Sequence, residues 1–372
     1  MTLAMKEPAT GKKEPEFAPI DLDGSPEVED FLDRLGLGRF VRDDLVSPAG
    51  RNAVWIGRTT TGRRVFVKRL LGEDRDTRLG RLTSFQRFAD TDRFPVPDLL
   101  GHDTDTGIVV YEAVAAAHGG AELMVDEEFT TDISRRVGNA LGTVHSAPVS
   151  PDAEIDTSPS VFPSTVLLTA LPSALFETLS FAEVQAWRLL QQDAPLAEAV
   201  HRLREREALA PRTPVHGDFR MDQLLISDDR VHIADWEEFR LGDAARDVGA
   251  FAGEWLYRCI LDIVTDRGGQ PPIVDDISHE EILARGMAGI ERVSPVVNAF
   301  WRGYRGVRPE VDAEFVERAT AFAGWHTIDR LLAGAARRTK LTGIERAAAG
   351  VGRSALITPD RFGAVLGFEE IG

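Results

Sequence analysis

The sequence predicts an α+β fold in two lobes, a small β-rich lobe followed by a larger, mainly helical one. Three observations carry that prediction. Runs of β-branched and aromatic residues, separated by turn residues, recur between residues 53 and 114. Beyond residue 120, apolar side chains recur at helical spacing over most of the chain. One short β patch, residues 215–239, interrupts those helices.

Residues 1–24 are rich in Lys, Glu, Pro and Gly and show no apolar period, which predicts a mobile tail. Ser25-Pro26 is a helix start, with a hydroxyl available to cap free N–H groups and proline at the first helical position. Val28, Phe31, Leu32 and Leu35 follow at helical spacing, and the helix should stop near Gly36 or Gly38. Ala53–Arg58 and Arg64–Leu70 read as a hairpin around the turn Thr59–Arg63. A helix with Leu79, Leu82, Phe85 and Phe88 on one stripe comes next, then a second hairpin carrying the apolar strand Gly107–Val114. The expected boundaries are thus 1–24 for the tail, 25–114 for the small lobe and 115–372 for the large one. In the large lobe, helical periodicity covers Phe129–His145, Phe181–Glu205, His279–Gly303 and Val311–Arg338. The patch VHGDFRMDQLLISDDRVHIADWEEF reads as loop, short strand, turn at Ser227-Asp228-Asp229 and short strand.

Composition removes several function classes. A chain of 372 residues, 43% apolar, is long and apolar enough for two or three packed units. With 60 acidic and 43 basic residues, its formal charge of −17 makes nucleic acid and anionic membrane poor electrostatic partners. The single cysteine, Cys259, cannot form an internal disulfide, and no CxxC or Cys/His cluster offers a zinc site. That places the chain in a reducing compartment, the cytoplasm. Its N-terminal segment mixes charges and prolines where a signal peptide needs an apolar stretch, and no run approaches the ~18 residues of a membrane span.

The chemistry concentrates in the β patch. Asp218 lies in a loop five residues before Gln223, which opens an apolar strand, and Asp235 ends the returning strand. A hairpin brings these strand ends together. Phosphoryl transfer calls for such a set: a carboxylate to accept the hydroxyl proton, plus a side-chain oxygen and a second carboxylate to hold Mg2+ on nucleotide phosphates. HGD alone is a weak signal, but HGD, the amide oxygen at +5 and IADW with its aspartate at +17 form a compound one. Ordinary surface aspartates on a solvated turn fit less well, because Asp235 follows a wholly apolar strand.

The run VHGDFRMDQLLI…HIADWEEFRLGDAARDVGAFAGEW resembles the aminoglycoside phosphotransferase group of the protein-kinase-like superfamily, over roughly Asp44 to Tyr304. The resemblance implies a bilobal protein-kinase-like fold, ATP and Mg2+ as cofactors, Asp218 as catalytic base, and Gln223 and Asp235 as metal ligands. It also implies that His216 orients the catalytic loop and that Asp247, in GDAARDVG, anchors that loop from behind. LGTVHSAP, whose His145 ends a helix, resembles the same group.

The small lobe agrees. Lys68, in VFVKRL, stands where a kinase lysine neutralises the α- and β-phosphates. Gly50, Arg51 and Asn52 belong to the turn where a kinase places its phosphate-covering loop, and one glycine there permits a modest version of the Gly-rich approach. VVYEAV resembles the interlobe hinge, with the Glu112 carbonyl and Val114 N–H as adenine contacts. Two positions depart from the pattern. Gln223 replaces the usual Asn and is one methylene longer; the helix that should offer a glutamate to Lys68 has Gln86, which forms no ion pair. A pseudokinase scaffold is therefore one reading of the chain. GVGRSA matches G-x-G-x-x-G/A but follows the helix-like ERAAA rather than a strand, and no GxxxxGK[ST] exists.

For the acceptor, charge distribution is the guide. Residues 51–93 hold eleven basic and five acidic residues, and residues 281–346 eleven basic and eight acidic. A basic C-terminal helical region disfavours polycationic aminoglycosides and favours an acidic or peptidic partner. LGLGRF, GRNAVW, TTTGRRVFVKRL, HGDFRMDQ and the tail AGWHTIDRLLAGAARR…ERAAAGVGRSAL resemble the kinase-like subunit of class V lanthipeptide synthetases. That resemblance implies phosphorylation of Ser or Thr in a ribosomal precursor peptide, with a partner lyase subunit eliminating phosphate to give dehydroamino acids. A small-molecule antibiotic phosphotransferase of the aminoglycoside or macrolide type is the alternative.

Overall fold

The computed structural model describes residues 21–368 apart from 49, 90–93, 95, 228–229, 264–278 and 337. The expected tail lies outside the described residues up to residue 20, as do Asp228 and Asp229 of the expected turn. The last residues of that tail are ordered instead, because Leu22, in a short helical turn over Leu22–Gly24, is buried with Phe31 and Leu32. The chain divides into two compact units, one made of residues up to Arg75 together with Leu99–Ala113, the other of Asp76–Asp98 and everything from Val114.

In the smaller unit, β1 (Ala53–Arg58), β2 (Arg64–Arg69), β3 (Leu99–Asp103) and β4 (Ile108–Glu112) form an antiparallel sheet in the order β1-β2-β4-β3. Helix α1 (Pro26–Arg34) covers this sheet: Val28, Phe31 and Leu32 are buried with Trp55, Val65, Val67, Ile108 and Val110. The Ser25 hydroxyl makes no capping bond. Pro26 at the first position removes one orphan donor, and the Ser25 carbonyl accepts from Val28 N–H at 3.1 Å. Ion pairs of Arg69 with Glu27 and of Arg34 with Asp103 fasten the helix at its two ends.

Helix α2 (Arg75–Phe88) follows β2 in the chain, and the sequence reading placed it in the small lobe; from Asp76 on it is built into the larger unit. The cause is its apolar stripe, because Phe85, with Phe94 and Val96 after it, is buried in the core of the larger unit. The remaining elements of that unit are β5 (His118–Gly119), α3 (Gly120–Val125), α4 (Thr131–His145), α5 (Thr165–Thr169), α6 (Ser173–Phe176), α7 (Phe181–Gln191), α8 (Ala194–Leu209), β6 (Arg212–Val215), β7 (Leu224–Ile226), β8 (Val231–Ile233), β9 (Arg240–Asp243), α9 (Ala245–Asp262), α10 (His279–Val307), α11 (Phe315–Ala335), α12 (Gly343–Ile357) and α13 (Pro359–Leu366).

The single helix expected over Phe181–Glu205 is two. Asp193 caps the second by accepting from Leu196 N–H at 3.1 Å, and Pro195 in its first turn needs no donor there. The pair β6·β9 was not anticipated, because Pro214 sits in one four-residue strand and Gly242 in the other. Its register, Val215 opposite Arg240, together with Leu224 opposite Ile233 in β7·β8, fixes the layout of the site. The loop 216–223 leaves β6 and enters β7; the loop 234–239 leaves β8 and enters β9. Since β6 pairs with β9 and β7 with β8, the two loops run side by side, each tied down at both ends.

Candidate active site

The first loop is organised around a buried carboxylate. Asp247, on the first turn of α9, accepts from the backbone N–H of His216 at 2.7 Å through Oδ2 and of Gly217 at 3.0 Å through Oδ1. His145, at the end of α4, reaches Oδ2 with Nε2 at 3.1 Å, and its Nδ1 lies 3.0 Å from the Tyr304 hydroxyl. Burial works against charge on both partners. Hydrogen bonds from the His145 ring and the His216 backbone nevertheless hold the Asp247 carboxyl below the ordinary range, while burial pushes His145 down. The pair is therefore a carboxylate and a neutral imidazole that donates Nε2–H and accepts from Tyr304. Gly217 has φ of +85°, and a Cβ there would lie 2.5 Å from the Glu238 carbonyl, so only glycine fits between histidine and aspartate.

His216, fully buried, links the two loops. Its Nε2 lies 2.8 Å from the Ala234 carbonyl, an acceptor only, so Nε2 carries the proton. Nδ1 is left to accept from the Asp218 N–H at 3.3 Å. One ring thus joins Asp218 to the residue before Asp235.

Enclosure by protein raises the Asp218 carboxyl to a pKa of about 7; Arg220 and Arg330 oppose the rise, and Asp222 and Asp235 add to it. The side chain keeps 44% of its surface open to solvent, which favours the charged form and draws the value back toward the carboxylate range. Arg220 Nε stands 3.4 Å from Asp218 Oδ2, and its Nη2 3.1 Å from Asp222 Oδ2. Burial disfavours the Arg220 charge, but Asp218, Asp222, Glu254 and Asp235 raise its pKa overall. Glu254 of α9 in turn pairs with His326 of α11. Sequence reasoning missed Arg220, Glu254, His326 and Arg330; only Arg220, two residues from Asp218, carries a local signal.

Gln223 and Asp235 come together through the β7·β8 hairpin. Ala234 N–H donates to the Gln223 carbonyl at 2.9 Å, so Gln223 lies opposite the residue before Asp235. Gln223 is buried, and Asp235 adopts a left-handed conformation, φ 66° and ψ 54°. Among the described residues no group of three or more His, Cys, Asp and Glu could form a metal cage. One carboxylate and one amide oxygen nevertheless suit Mg2+, which takes one or two protein oxygens and completes its shell with phosphate oxygens and water.

In the smaller unit, Lys68 is buried, 5% exposed, on the inner strand β2 between Val54 and Val109. It is not a solvated edge charge. Asn52, also buried, accepts from Leu71 N–H at 3.1 Å, and Arg51, next to Gly50, pairs with Asp74 at 2.6 Å. Glu112 ends β4, and its carboxylate takes a 2.8 Å bond from Arg63. Val114 opens the second and longer stretch of the larger unit, and Gln86 is half-buried on α2 in the first. GVGRSA lies in α12, where packing explains a glycine: a Cβ on Gly352 would lie 2.0 Å from Thr327 Oγ1 and 2.6 Å from the Gly324 carbonyl. Cys259 is buried, and burial pushes its thiol up to about 11. No helix among the described residues is long and apolar enough to cross a membrane.

The sequence profile of the phosphotransferase enzyme family matches residues 48–270. No curated protein matches the sequence. Among solved structures, the chain is similar to the choline kinase LicA from Streptococcus pneumoniae, with TM-score 0.52 and 14% identity over 90% of this chain and 99% of that one. A choline/ethanolamine kinase family protein from Mesorhizobium loti gives TM-score 0.50 and 14% identity over 87% of this chain and 92% of that one. The amicoumacin kinase hAmiN, solved with AMP-PNP, Ca2+ and its ligand, gives TM-score 0.51 and 15% identity over 90% and 96%. At these identities the likeness concerns the fold: a small β unit and a large helical unit in one phosphotransferase architecture.

Proposed function

The chain belongs to the phosphotransferase enzyme family, and on that premise we propose that it transfers the γ-phosphoryl group of ATP to a Ser or Thr hydroxyl of a ribosomal precursor peptide. A partner lyase would then eliminate phosphate to leave a dehydroamino acid, as in lanthipeptide biosynthesis. The observation that supports phosphoryl transfer is the pair of loops cross-linked by His216, which sets a half-exposed Asp218 beside the segment bearing Asp235 and Gln223.

In this reading Asp218 accepts the acceptor hydroxyl's proton as that oxygen attacks phosphorus in line, and its raised pKa makes it a better base than an ordinary carboxylate. His216 and Asp247 keep the loop fixed, so that the base does not have to be ordered during the reaction. Lys68, buried on β2, neutralises the α- and β-phosphates. Gly50, Arg51 and Asn52 cover the phosphates, and Glu112 and Val114 meet the adenine. Mg2+, held by Asp235 and the Gln223 amide oxygen, would supply neutralisation of phosphate charge when bound.

The peptide acceptor is supported by the family resemblance read from the sequence. The charges around Asp218 do not decide it, because the guanidiniums of Arg220 and Arg330 stand among the carboxylates of Asp222, Asp235 and Glu254. A small-molecule alcohol is the second reading, favoured by the likeness to a choline kinase and to the amicoumacin kinase. The deciding experiment incubates the protein with Mg-ATP and a candidate precursor peptide, a choline, and an aminoglycoside or macrolide in parallel, and reads phosphate adducts by mass spectrometry. An adduct on the peptide supports the first reading; adducts confined to small alcohols transfer the assignment to the second. Nucleotide-induced thermal stabilisation without turnover on any acceptor would make the chain a pseudokinase scaffold.

A further inference from the structure

Asp235 holds a left-handed backbone conformation, φ 66°, uncommon for a non-glycine residue though less so for aspartate. The residues that follow it are held by one face of α2. Trp236, next to Asp235, stacks face to face on Phe85 of α2 at 3.8 Å between ring centroids and 4° between planes. Glu237 accepts a 3.2 Å bond from Nη1 of Arg78, a fully buried arginine, and the two are 159 residues apart in sequence. Glu238 takes a 2.8 Å bond from Arg81, which also holds Asp156 at 2.7 Å. Phe239 packs edge-on against Phe85 at 5.1 Å. Residues 78, 81 and 85 share a helix face, and four consecutive residues after Asp235 are gripped by it.

We infer that α2 is the positioning element of the Asp235 loop, and that Arg78, through Glu237, is a positioning residue that sets the Asp235 carboxylate for the metal–nucleotide. The inference rests on the reading of Asp235 as a metal ligand and extends it to a helix that the sequence connects only with Lys68. Kinase-type helices present a carboxylate to the nucleotide lysine; here the helix presents a buried cation to the segment behind the metal carboxylate. Arg78 is too deeply buried to touch substrate, 0% exposed, so its effect travels through backbone geometry. Groups bonded directly to a metal ligand change metal affinity by roughly 10–100-fold when removed, and Arg78, acting one step further out through Glu237, sets the lower end of that range as the expectation.

The test compares Arg78→Met, Arg78→Lys and Glu237→Gln with Asp235→Asn in the full chain. The readouts are the Mg2+ concentration that half-saturates ATP binding, followed by thermal shift and calorimetry, and the KM values for Mg-ATP and for the acceptor. The expected result is a rise of about tenfold in the Mg2+ midpoint and in the Mg-ATP KM for Arg78→Met. The acceptor KM should stay within about twofold, Glu237→Gln should follow the same direction, and Arg78→Lys should recover part of the loss. A drop in melting temperature with an unchanged Mg2+ midpoint in Arg78→Met and Glu237→Gln overturns the inference and leaves Arg78 a packing residue. Should Arg78→Met fail to fold, Glu237→Gln, which keeps size and a hydrogen-bond acceptor, decides alone. An Mg2+ midpoint unchanged in Asp235→Asn overturns instead the underlying metal assignment, so the two failures are separable.

Discussion

The loop carrying Asp218 is held from behind by one buried carboxylate that takes backbone N–H groups, whereas the loop carrying Asp235 is gripped from the side by ion pairs and a ring stack from α2. The first arrangement is built of short, directional bonds to the main chain, so it fixes the loop whatever side chains the loop bears. The second acts through the side chains of Trp236, Glu237, Glu238 and Phe239, so it can be loosened one contact at a time. In the proposed reading the first loop carries the base and the second the carboxylate that meets the metal–nucleotide. That contrast makes the anchored loop the site of the largest mutational effects on chemistry and the gripped loop the site of effects on nucleotide and metal affinity.

The largest effect should come from the base itself. Asp218→Asn should lower kcat by roughly 10²–10⁴-fold, the usual worth of a general base, with the melting temperature unchanged because the side chain is half-exposed. Steady-state turnover beside a thermal melt checks both halves. Undiminished turnover would break the contrast at its root by removing Asp218 from the chemistry.

Removing the anchor should cost stability as well. Asp247→Ala leaves the N–H groups of His216 and Gly217 and the His145 Nε2 without their buried acceptor. An unsatisfied buried donor costs about 1–3 kcal/mol, so a loss of roughly 3 kcal/mol or more is expected in urea unfolding, with activity lost in the fraction still folded. If that fraction kept full activity, the loop would be held by its own sequence and the anchor would be a packing feature. Gly217→Ala is the milder version: the positive φ and the Glu238 carbonyl 2.5 Å from the new Cβ should cost about 1–3 kcal/mol. A neutral substitution there would show that the loop relaxes more freely than its two anchored strands allow.

The same contrast explains how much could be read beforehand. Asp218, Gln223 and Asp235 are written close together in the chain, as HGD, the amide at +5 and IADW, because β7 and β8 form a local hairpin that brings the ends of the two loops together. Asp247 was readable only through the family resemblance carried by GDAARDVG, since it stands on the first turn of α9, outside that hairpin. The grip on the Asp235 loop was not legible. It joins residues 159 positions apart in sequence, and an arginine on a helix otherwise striped with Leu and Phe reads as a solvated charge until the partner carboxylate is found. The same blindness put α2 in the small lobe, since periodicity gives a helix its apolar face but not the surface that buries it. It also left Glu254, His326 and Arg330 unnoticed, because α9 and α11 bring them toward Asp218 only through tertiary packing.

The smallest expected effect sharpens the comparison most, because it separates fixing the base from tuning it. Asp218 must be deprotonated to accept a proton, so kcat/KM should rise with pH on an acid limb set by its free-enzyme pKa, about 7 by enclosure and lower in proportion to solvent access. Arg220 lies 3.4 Å away and stabilises the carboxylate, so it holds that limb down. Arg220→Gln removes the positive charge and leaves the anchoring bonds to Asp247 in place. The carboxyl should then titrate at higher pH, moving the acid limb upward by about half a unit to one unit, with rates depressed near pH 6 and restored above pH 8. A pH–rate profile of the two proteins measures the displacement. A limb that stays put, or moves to lower pH, would mean that another group governs the profile and that the charges around Asp218 serve acceptor binding rather than the base.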